Sequence, residues 1–268
     1  MTLQRILIVT KTYPSISQKY RETVCTAGVL LDDLDRPLGW VRLYPIPYRL
    51  LENDQKFKRW SIIQASIERN TKDSRLESYR IDIDSIVVER EVDTSDSWRY
   101  RKELILHPSL QFPSTEAIKS QGRSLGLIKP LEITKCYYES DAENWTPAQK
   151  RILNQESIFE KPLDLEKIPY RFGYEFIDAD HKKHRYSIID WEIKQLYRNS
   201  RDTKLESNPE LWKKSGCEGV QLKLSRFIEE KDLYFLLGNL KSRPQTFTII
   251  GLIYPPKVKG DQLSLCLY

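Results

Sequence analysis

The sequence is poor in glycine and histidine and lacks the short motifs of several common catalytic families. Ten glycines and three histidines occur in 268 residues, with no GxxxxGK[ST], GxGxxG, GxSxG or HExxH motif. A phosphate-binding loop for a nucleoside triphosphate, a nucleophile elbow and a zinc-protease helix therefore have no sequence support. We expect no cofactor, and the sequence favours a non-catalytic role while leaving catalysis open.

Cysteine is also sparse, and its spacing excludes two further classes. The four cysteines, at positions 25, 136, 217 and 266, form no CxxC pair. We therefore expect neither a disulfide framework nor a zinc finger. Cys25 is a candidate nucleophile only if a histidine assists it. It lies in an apolar run with no histidine nearby, which favours a buried structural thiol.

Long hydrophobic runs are missing as well. The apolar run that precedes Lys11 spans five residues, and the late run at 247–256 ends in a Pro-Pro pair. A signal peptide needs about 7–15 apolar residues and a membrane-spanning helix about 20. We therefore expect a cytoplasmic protein that has no membrane partner.

Charge is nearly balanced over the chain but uneven along it. The 43 basic and 38 acidic residues give a net charge of +5, which excludes an acidic chaperone or tail. The first sixty residues hold ten lysines and arginines against six acidic residues. Most of the positive excess therefore lies at the N-terminal end, although it is mild beside domains that coat duplex nucleic acid.

The first 95 residues have the pattern of a β-rich domain. In residues 79–89, the RIDIDSI alternation predicts a strand with Ile81, Ile83 and Ile86 facing inward. Five short strands joined by turns favour a small β-barrel or a bent antiparallel sheet. These predicted strands cover residues 5–10, 23–31, 39–44, 60–68 and 79–89.

The remainder predicts a mixed helical connector at 96–165 and an α+β domain at 166–268, which makes the whole chain α+β. The polar, proline-bounded segment 156–169 marks the boundary between them. In the connector we expect helices at 98–106, 114–121 and 146–153 and a strand pair interrupted by Pro130. In the last domain we expect a hairpin of strands 170–177 and 185–189, a helix 191–199 capped by Asp190, a short helix 208–214, a helix or strand 222–230, and strands 233–237 and 246–254.

One candidate binding surface lies where aromatic and basic residues alternate near the N terminus. Aromatic rings stack on bases while guanidinium and ammonium groups bind phosphates. The alternation also fits a core strand whose arginine reaches solvent along its stem. The candidate nucleic-acid-binding residues are Lys11, Arg21, Trp40, Arg42, Tyr44, Tyr48 and Arg49.

A second candidate site carries the residue types of a metal-dependent nuclease. Asp190, Glu192 and Lys194, with an upstream carboxylate, could hold a divalent cation and orient a water molecule. The same pattern fits a helix start, with Asp190 as N-cap and Glu192 favoured by the helix dipole. His181 and His184 are candidate metal ligands, although a solvated turn is the simpler interpretation.

The sequence therefore leaves three hypotheses. The favoured one is a module that binds RNA or single-stranded DNA and works within a larger assembly. The alternatives are a divalent-metal nuclease and a non-catalytic subunit with a protein partner. Tyrosine, tryptophan and arginine are enriched at protein interfaces as well as at nucleic-acid sites, so composition alone does not separate the first hypothesis from the last.

Overall fold

The computed structural model describes residues 1–154, 165–203 and 207–257. Within these ranges the chain forms two seven-stranded sheets and five α-helices. The strands of the first sheet are β1 (Thr2–Lys11), β2 (Ser15–Ser17), β3 (Arg21–Leu31), β4 (Pro37–Ile46), β5 (Ser61–Arg69), β6 (Ser78–Ile81) and β7 (Val87–Glu91). Those of the second are β8 (Gln111–Phe112), β9 (Leu125–Ile128), β10 (Glu132–Ser140), β11 (Tyr170–Ile177), β12 (Lys183–Ile188), β13 (Tyr234–Leu240) and β14 (Arg243–Ile253). The helices are α1 (Ser95–Ile105), α2 (Thr115–Ser120), α3 (Pro147–Leu153), α4 (Trp191–Asp202) and α5 (Pro209–Glu230).

The N-terminal sheet closes into a five-stranded barrel, which confirms the predicted α+β fold with an N-terminal barrel. The order is β1-β3-β4-β6-β5, and a further pairing of β1 with β5 completes the ring. The β4–β6 pair is parallel, whereas the other pairs of the ring are antiparallel. Strand β2 pairs with β3, and β7 pairs with β5 outside the ring.

Strand β1, which carries a continuous apolar run, is buried on both of its faces. Ile6 and Ile8 belong to the core inside the barrel, together with Leu43 of β4. Leu7 and Val9 face outward and pack in a second core that includes residues of the second sheet. Because both faces of β1 are buried, its sequence shows no alternation between apolar and polar residues.

The single strand predicted at 79–89 is wrong. Asp82 accepts a hydrogen bond from the amide of Asp84 at 3.2 Å, and a 3₁₀ turn, Ile83–Ser85, separates β6 from β7. Asp side chains compete in this way for nearby backbone amides, which interrupts a strand. Ile81 and Ile86 nevertheless lie in the barrel core, so the turn keeps both residues inward.

The second sheet is the middle layer of the molecule. Its order is β10-β11-β12-β14-β13-β9-β8, and the predicted β11–β12 hairpin is present. Leu236 and Ile250 pack against the barrel, while Phe235, Leu237 and Ile249 pack beneath α4 and α5. The apolar C-terminal segments are therefore central strands that are covered on both faces.

Helix α5 runs unbroken for 22 residues, where the sequence suggested two separate elements. A Cβ atom on Gly216 would lie 2.7 Å from the Tyr197 ring, and one on Gly219 would lie 2.4 Å from the Cβ of Ser200. The two glycines thus permit close contact between α5 and α4. They do not end the helix.

The first sheet ends at Glu91 and the second begins at Gln111, with α1 between them. Trp98 and Ile105 of α1 belong to the core that joins the barrel to the second sheet. The partition into 1–95, 96–165 and 166–268 stays a prediction, and residues 155–164 of the boundary segment lie outside the described residues. None of the described helices combines the length and apolarity needed to cross a membrane.

Candidate functional site

A cavity of about 520 Å³ lies between the outer face of the barrel and the second sheet. Strands β3 and β4 contribute Cys25, Arg42 and Tyr44 to one side of it. We call it the barrel-face cavity. Its other lining residues come from the segment after β1, from the loop between β5 and β6, and from the second sheet with α4: Thr12, Tyr13, Ser15, Asn70, Asp73, Arg75, Ile189, Lys194, Asn239, Leu240, Lys241, Thr248 and Ile250.

Strand β4 places its residues on two faces, as the alternation predicts. Val41 and Leu43 lie in the barrel core, so Trp40, Arg42 and Tyr44 project from the opposite face. The second sheet covers this face at Trp40, which is 7% exposed and donates from Nε1 to the carbonyl of Leu110 at 2.9 Å. Trp40 is therefore a packing residue and offers no free ring face for stacking.

Arg42 lies buried at the edge of the barrel-face cavity and is 3% exposed. Its Nη1 donates to the Cys25 sulfur at 3.3 Å, and its Nη2 donates to the carbonyl of Ser124 at 3.1 Å. Within the described ranges, Nε has no hydrogen-bond partner and no carboxylate forms an ion pair with the guanidinium. Among the described residues, the guanidinium of Arg42 therefore donates only to uncharged acceptors.

Three other arginines whose side chains are largely buried are each paired with a carboxylate. Arg75 lies 2.6 Å from Asp73, and Arg59 lies 2.6 Å from Glu192. Arg201 contacts Glu166 and Asp202. A buried charge without a counter-charge is costly, because water no longer solvates it. Arg42 differs from these three arginines, because it is a buried cation whose surroundings suit an incoming anion.

Two tyrosines supply aromatic surface to the barrel-face cavity. Tyr44 is half-buried, and its hydroxyl accepts a hydrogen bond from Thr23 at 3.3 Å. Tyr13 donates from its hydroxyl to the carbonyl of Glu166 at 2.7 Å, and burial raises its pKa to about 12. Both rings are held by their hydroxyl contacts, which leaves their apolar faces for packing.

The charged residues around the cavity have a positive excess. Asp73 is neutralised by Arg75: burial acts to raise the pKa of this carboxyl, but hydrogen bonds from Arg75 and Ser78 hold it well below its ordinary value. Lys194 donates to the carbonyl of Tyr170, and burial lowers its pKa to about 8. Lys241 donates to the carbonyl of Lys72 at 2.8 Å. Arg42, Lys194 and Lys241 remain as the excess cations.

A second cavity, of about 480 Å³, includes Lys11, Tyr48 and Trp191 in its lining. The Nζ of Lys11 lies 3.7 Å above the Tyr48 ring and donates to the carbonyl of Phe57 at 2.8 Å. Burial lowers the pKa of Lys11 to about 8. Lys11 and Tyr48 are thus already engaged with each other.

Arg21 and Arg49 line neither of the two larger cavities. Arg49 forms an ion pair with Glu22 at 3.0 Å, and burial raises the pKa of this carboxyl. Arg21 contacts the carbonyl of Leu153 at 3.5 Å. Of the seven residues predicted to bind nucleic acid, the structure places Arg42 and Tyr44 in one cavity, Lys11 and Tyr48 in another, and Trp40 in the core.

The nuclease candidates lie at the start of α4. Asp190 is the N-cap of α4 and accepts from the amide of Glu192 at 2.9 Å. Glu192 pairs with Arg59, whereas Lys194 contacts the Tyr170 carbonyl and lines the barrel-face cavity. Since each side chain has a different partner, the geometry gives the nuclease hypothesis no support.

The histidine candidates do not assemble a metal site either. His184 lies 2.7 Å from Asp178, and His181 is an exposed turn residue with a φ of 59°. Asp178 also accepts from the amides of Asp180 and Lys182, both at 3.1 Å. In the part of the chain that the structure describes, no group of three or more His, Cys, Asp or Glu is arranged to hold a metal ion.

Several lining residues escaped the sequence analysis. Tyr13, Arg75, Asn239 and Lys241 come from segments far apart in the chain. Tyr13 precedes Pro14 and lies two residues after Lys11, but a single tyrosine before a proline is too common to single out. Asn239 lies near the end of β13 and Lys241 lies in the turn that follows it; the sequence of this segment predicts only a turn.

Comparison with known proteins identifies a family. A family model described as "Domain of unknown function (DUF8757)" matches residues 111–267. The chain belongs to this family. A second model, "Domain of unknown function (DUF8758)", matches residues 2–107, which include the barrel. No curated protein matches the chain.

One solved structure aligns with almost the whole chain. It is described as "Structure of murine DNA binding protein bound with ds DNA", and the alignment covers 97% of this chain and 100% of that chain. The identity is 12% and the TM-score is 0.31. At this TM-score the two structures correspond only loosely, and the likeness carries no weight for function.

Proposed function

We propose that this chain binds single-stranded nucleic acid, RNA or DNA, at the barrel-face cavity. The observation that supports this most strongly is Arg42, a buried guanidinium without a carboxylate partner in the described ranges. Arginine binds phosphate through charge-assisted hydrogen bonds, and its free Nε provides a donor for such a bond. A bound phosphate would supply the counter-charge that the protein does not.

The position of the cavity on the barrel supports the same function. Counted along the chain, the ring strands β1, β3, β4, β5 and β6 are adjacent in the order 1-2-3-5-4, which contains a Greek key. Five-stranded Greek-key barrels of the OB type bind oligonucleotides or oligosaccharides on the face of their second and third strands, between two flanking loops. The barrel-face cavity occupies this position, although a shared architecture alone does not establish a function.

The aromatic residues favour a nucleic acid over a simple anion. Tyr13 and Tyr44 line the same cavity as Arg42 and Lys194. Rings stack on bases while cations neutralise phosphates, and this pairing is typical of sequence-tolerant binding to single strands. Duplex nucleic acid offers no unstacked base to such a cavity. Work within a larger assembly, a protein partner and a cytoplasmic location stay predictions from the sequence.

Fluorescence anisotropy with labelled oligonucleotides tests the proposal. Their length of about 12 nucleotides lies in the upper part of the range of site sizes for one such barrel. We expect both single-stranded RNA and DNA to bind at low salt, and matched duplexes to bind more weakly. Arg42→Gln is expected to lose about tenfold or more in affinity, because it removes a charge-assisted hydrogen bond to phosphate.

Arg99→Gln is the matched control, since Arg99 is an exposed residue of α1 that pairs with Glu103. This variant is expected to bind like the wild type. Arg42→Lys keeps the charge and is expected to retain part of the affinity. Absence of binding by the wild type, or equal affinities for Arg42→Gln and Arg99→Gln, would overturn the proposal.

A further inference from the structure

The segment that follows β1 is tied to the second sheet on one side of the barrel-face cavity. The amide of Tyr13 donates to the carbonyl of Ile189 at 3.0 Å. Thr12 forms an isolated antiparallel β-bridge with Asp190. In an open barrel this segment would border a groove, and a bound nucleic-acid strand could continue along that groove. Here it is joined by backbone hydrogen bonds to the start of α4.

The loop between β5 and β6 is tied down on the opposite side. Arg75 donates from Nη1 to the carbonyl of Asn239 at 3.1 Å, and Lys241 donates to the carbonyl of Lys72 at 2.8 Å. Asn239 and Lys241 belong to β13 and the turn that follows it. Both chain segments that flank the ligand-binding face therefore contact the second sheet or α4.

Further contacts hold the barrel to the second sheet between these two sides. Thr10 donates from its hydroxyl to the carbonyl of Ile250 at 2.8 Å. A Cβ atom on Gly251 would lie only 2.9 Å from the Cβ of Thr10, so glycine permits this close approach. These contacts restrict the space on the barrel face to a chamber of about 520 Å³, within the range of about 300–1,000 Å³ for small-molecule sites.

We infer that the barrel-face cavity accepts one nucleotide at a time, either a free nucleoside monophosphate or the terminal nucleotide of a strand. This inference rests on the proposed function and narrows its ligand. The cavity offers one buried guanidinium without a carboxylate partner in the described ranges, that of Arg42, for one phosphate, and two tyrosine rings for one base. Asn239 adds an amide oxygen that has no hydrogen-bond partner among the described residues.

Competition experiments separate a single nucleotide from a continuous strand. A labelled linear oligonucleotide of about 12 nucleotides is displaced with nucleoside monophosphates, with inorganic phosphate, with unlabelled linear strands and with a circular single strand of the same sequence. We expect monophosphates to compete and inorganic phosphate to compete poorly. The circular strand, which has no terminal nucleotide, is expected to bind about tenfold or more weakly than the linear one, because it loses the buried phosphate contact.

The outcomes distinguish this inference from the proposed function. If linear and circular strands bind equally through Arg42 and monophosphates do not compete, the inference is overturned while single-strand binding stands. If only monophosphates bind, the cavity serves a free nucleotide, and the proposed function of single-strand binding fails while the one-nucleotide cavity stands. If nothing binds, the inference and the proposed function both fail.

A variant at the cavity mouth avoids the buried core. Ser15 is an exposed lining residue of β2, and Ser17, two residues further along β2, does not line the cavity. We expect Ser15→Trp to lower the affinity for monophosphates and for linear strands by about tenfold or more, since the ring fills space that a ligand would occupy. Ser17→Trp serves as the matched control and is expected to bind normally. Equal binding by both variants would contradict a ligand in this cavity.

Discussion

Arg42 of the barrel donates a hydrogen bond from Nη2 to the carbonyl oxygen of Ser124, which precedes β9 of the second sheet, at 3.1 Å. The guanidinium passes close to Gly238, where a Cβ atom would lie 3.2 Å from Nη2. This contact fixes the cation at the junction of the two sheets, with Nε unpartnered among the described residues. The proposed ligand site therefore depends on both parts of the chain.

Trp40 and Tyr44 lie on the same face of β4 but are expected to respond differently to substitution. Trp40→Phe removes a buried hydrogen bond and leaves a void, so we expect the free energy of unfolding to fall by about 1–3 kcal/mol. Its affinity for a single strand should not change while the protein stays folded. Tyr44→Ala is expected to weaken binding by about 1–3 kcal/mol, the value of one stacked base.

Urea denaturation and anisotropy, measured on both variants, check this pair. A loss of affinity in folded Trp40→Phe would show that Trp40 contacts the ligand. Unchanged affinity in Tyr44→Ala would remove this ring from the proposed site.

Lys194 is expected to make binding depend on pH. Burial lowers its pKa to about 8, whereas Asp141 acts to raise the pKa and Arg171 acts to lower it further. Anion binding needs the protonated amine, so affinity is expected to fall as the pH rises through about 8. Anisotropy titrations at neutral and mildly alkaline pH measure this fall. The Lys194→Met variant should bind more weakly than the wild type at neutral pH, and its affinity should change little as the pH rises.

Lys11 provides the matched control for this prediction. Its pKa is also lowered to about 8 by burial, but it lines the second cavity. Lys11→Met should therefore keep the pH dependence of the wild type. If Lys11→Met removes the pH dependence and Lys194→Met keeps it, the ligand lies in the second cavity.

Gly219 tests the close contact between α4 and α5. Gly-to-Ala changes inside a helix normally stabilise it by about 1 kcal/mol. Here the new Cβ would lie 2.4 Å from the Cβ of Ser200, so we expect Gly219→Ala to lower the free energy of unfolding by about 1–3 kcal/mol. Adding Ser200→Gly should recover part of this loss. Urea denaturation of the two single variants and the double variant measures the coupling, and additive effects would contradict it.

Asp190 is expected to act through its position as a helix cap. Asp190→Ala should lower the free energy of unfolding by about 1 kcal/mol, because the first turn of α4 loses its cap. Asp190→Asn keeps an N-cap acceptor. Burial raises the pKa of Asp190 to about 6, above its ordinary value of 3.8. The charged form is thus disfavoured in the folded state, and the stability that this group contributes is lost as the pH rises from about 4 to about 6.

Asp190→Asn removes this penalty, so its stability relative to the wild type should improve between acid and neutral pH. Thermal unfolding at both pH values checks the trend. A decrease in its relative stability toward neutral pH would show that the Asp190 charge is favourable, as a cation-binding role requires.

Local patterns predicted the parts of the fold that depend on neighbouring residues. The Trp40-Arg42-Tyr44 alternation, the β11–β12 hairpin and the Asp190 cap all follow from interactions within a few residues. The 3₁₀ turn that follows Asp82 was not predicted. The aspartates that form its side-chain hydrogen bond are the same residues that give the alternating pattern of a strand. The continuity of α5 was not predicted, because the role of its two glycines depends on a second helix.

The candidate site was only half predictable for a related reason. Arg42 and Tyr44 belong to one strand with an evident pattern, but the covering residues Asn239 and Lys241 lie almost two hundred residues later. Charge alone did not indicate Arg42 over Arg21 or Arg49. What distinguishes Arg42 from Arg49 is the lack of a carboxylate partner in the described ranges, and only the three-dimensional arrangement reveals that.

Photocrosslinking tests the central claim most directly. A single-stranded oligonucleotide that carries a photoreactive thio-substituted base at its end is bound to the wild-type protein, irradiated and mapped by peptide mass spectrometry. Crosslinks to Tyr13 or Tyr44, competed by nucleoside monophosphate and lost in Ser15→Trp, are the predicted result. Crosslinks that map elsewhere and persist in Ser15→Trp would contradict a nucleic-acid site in the barrel-face cavity.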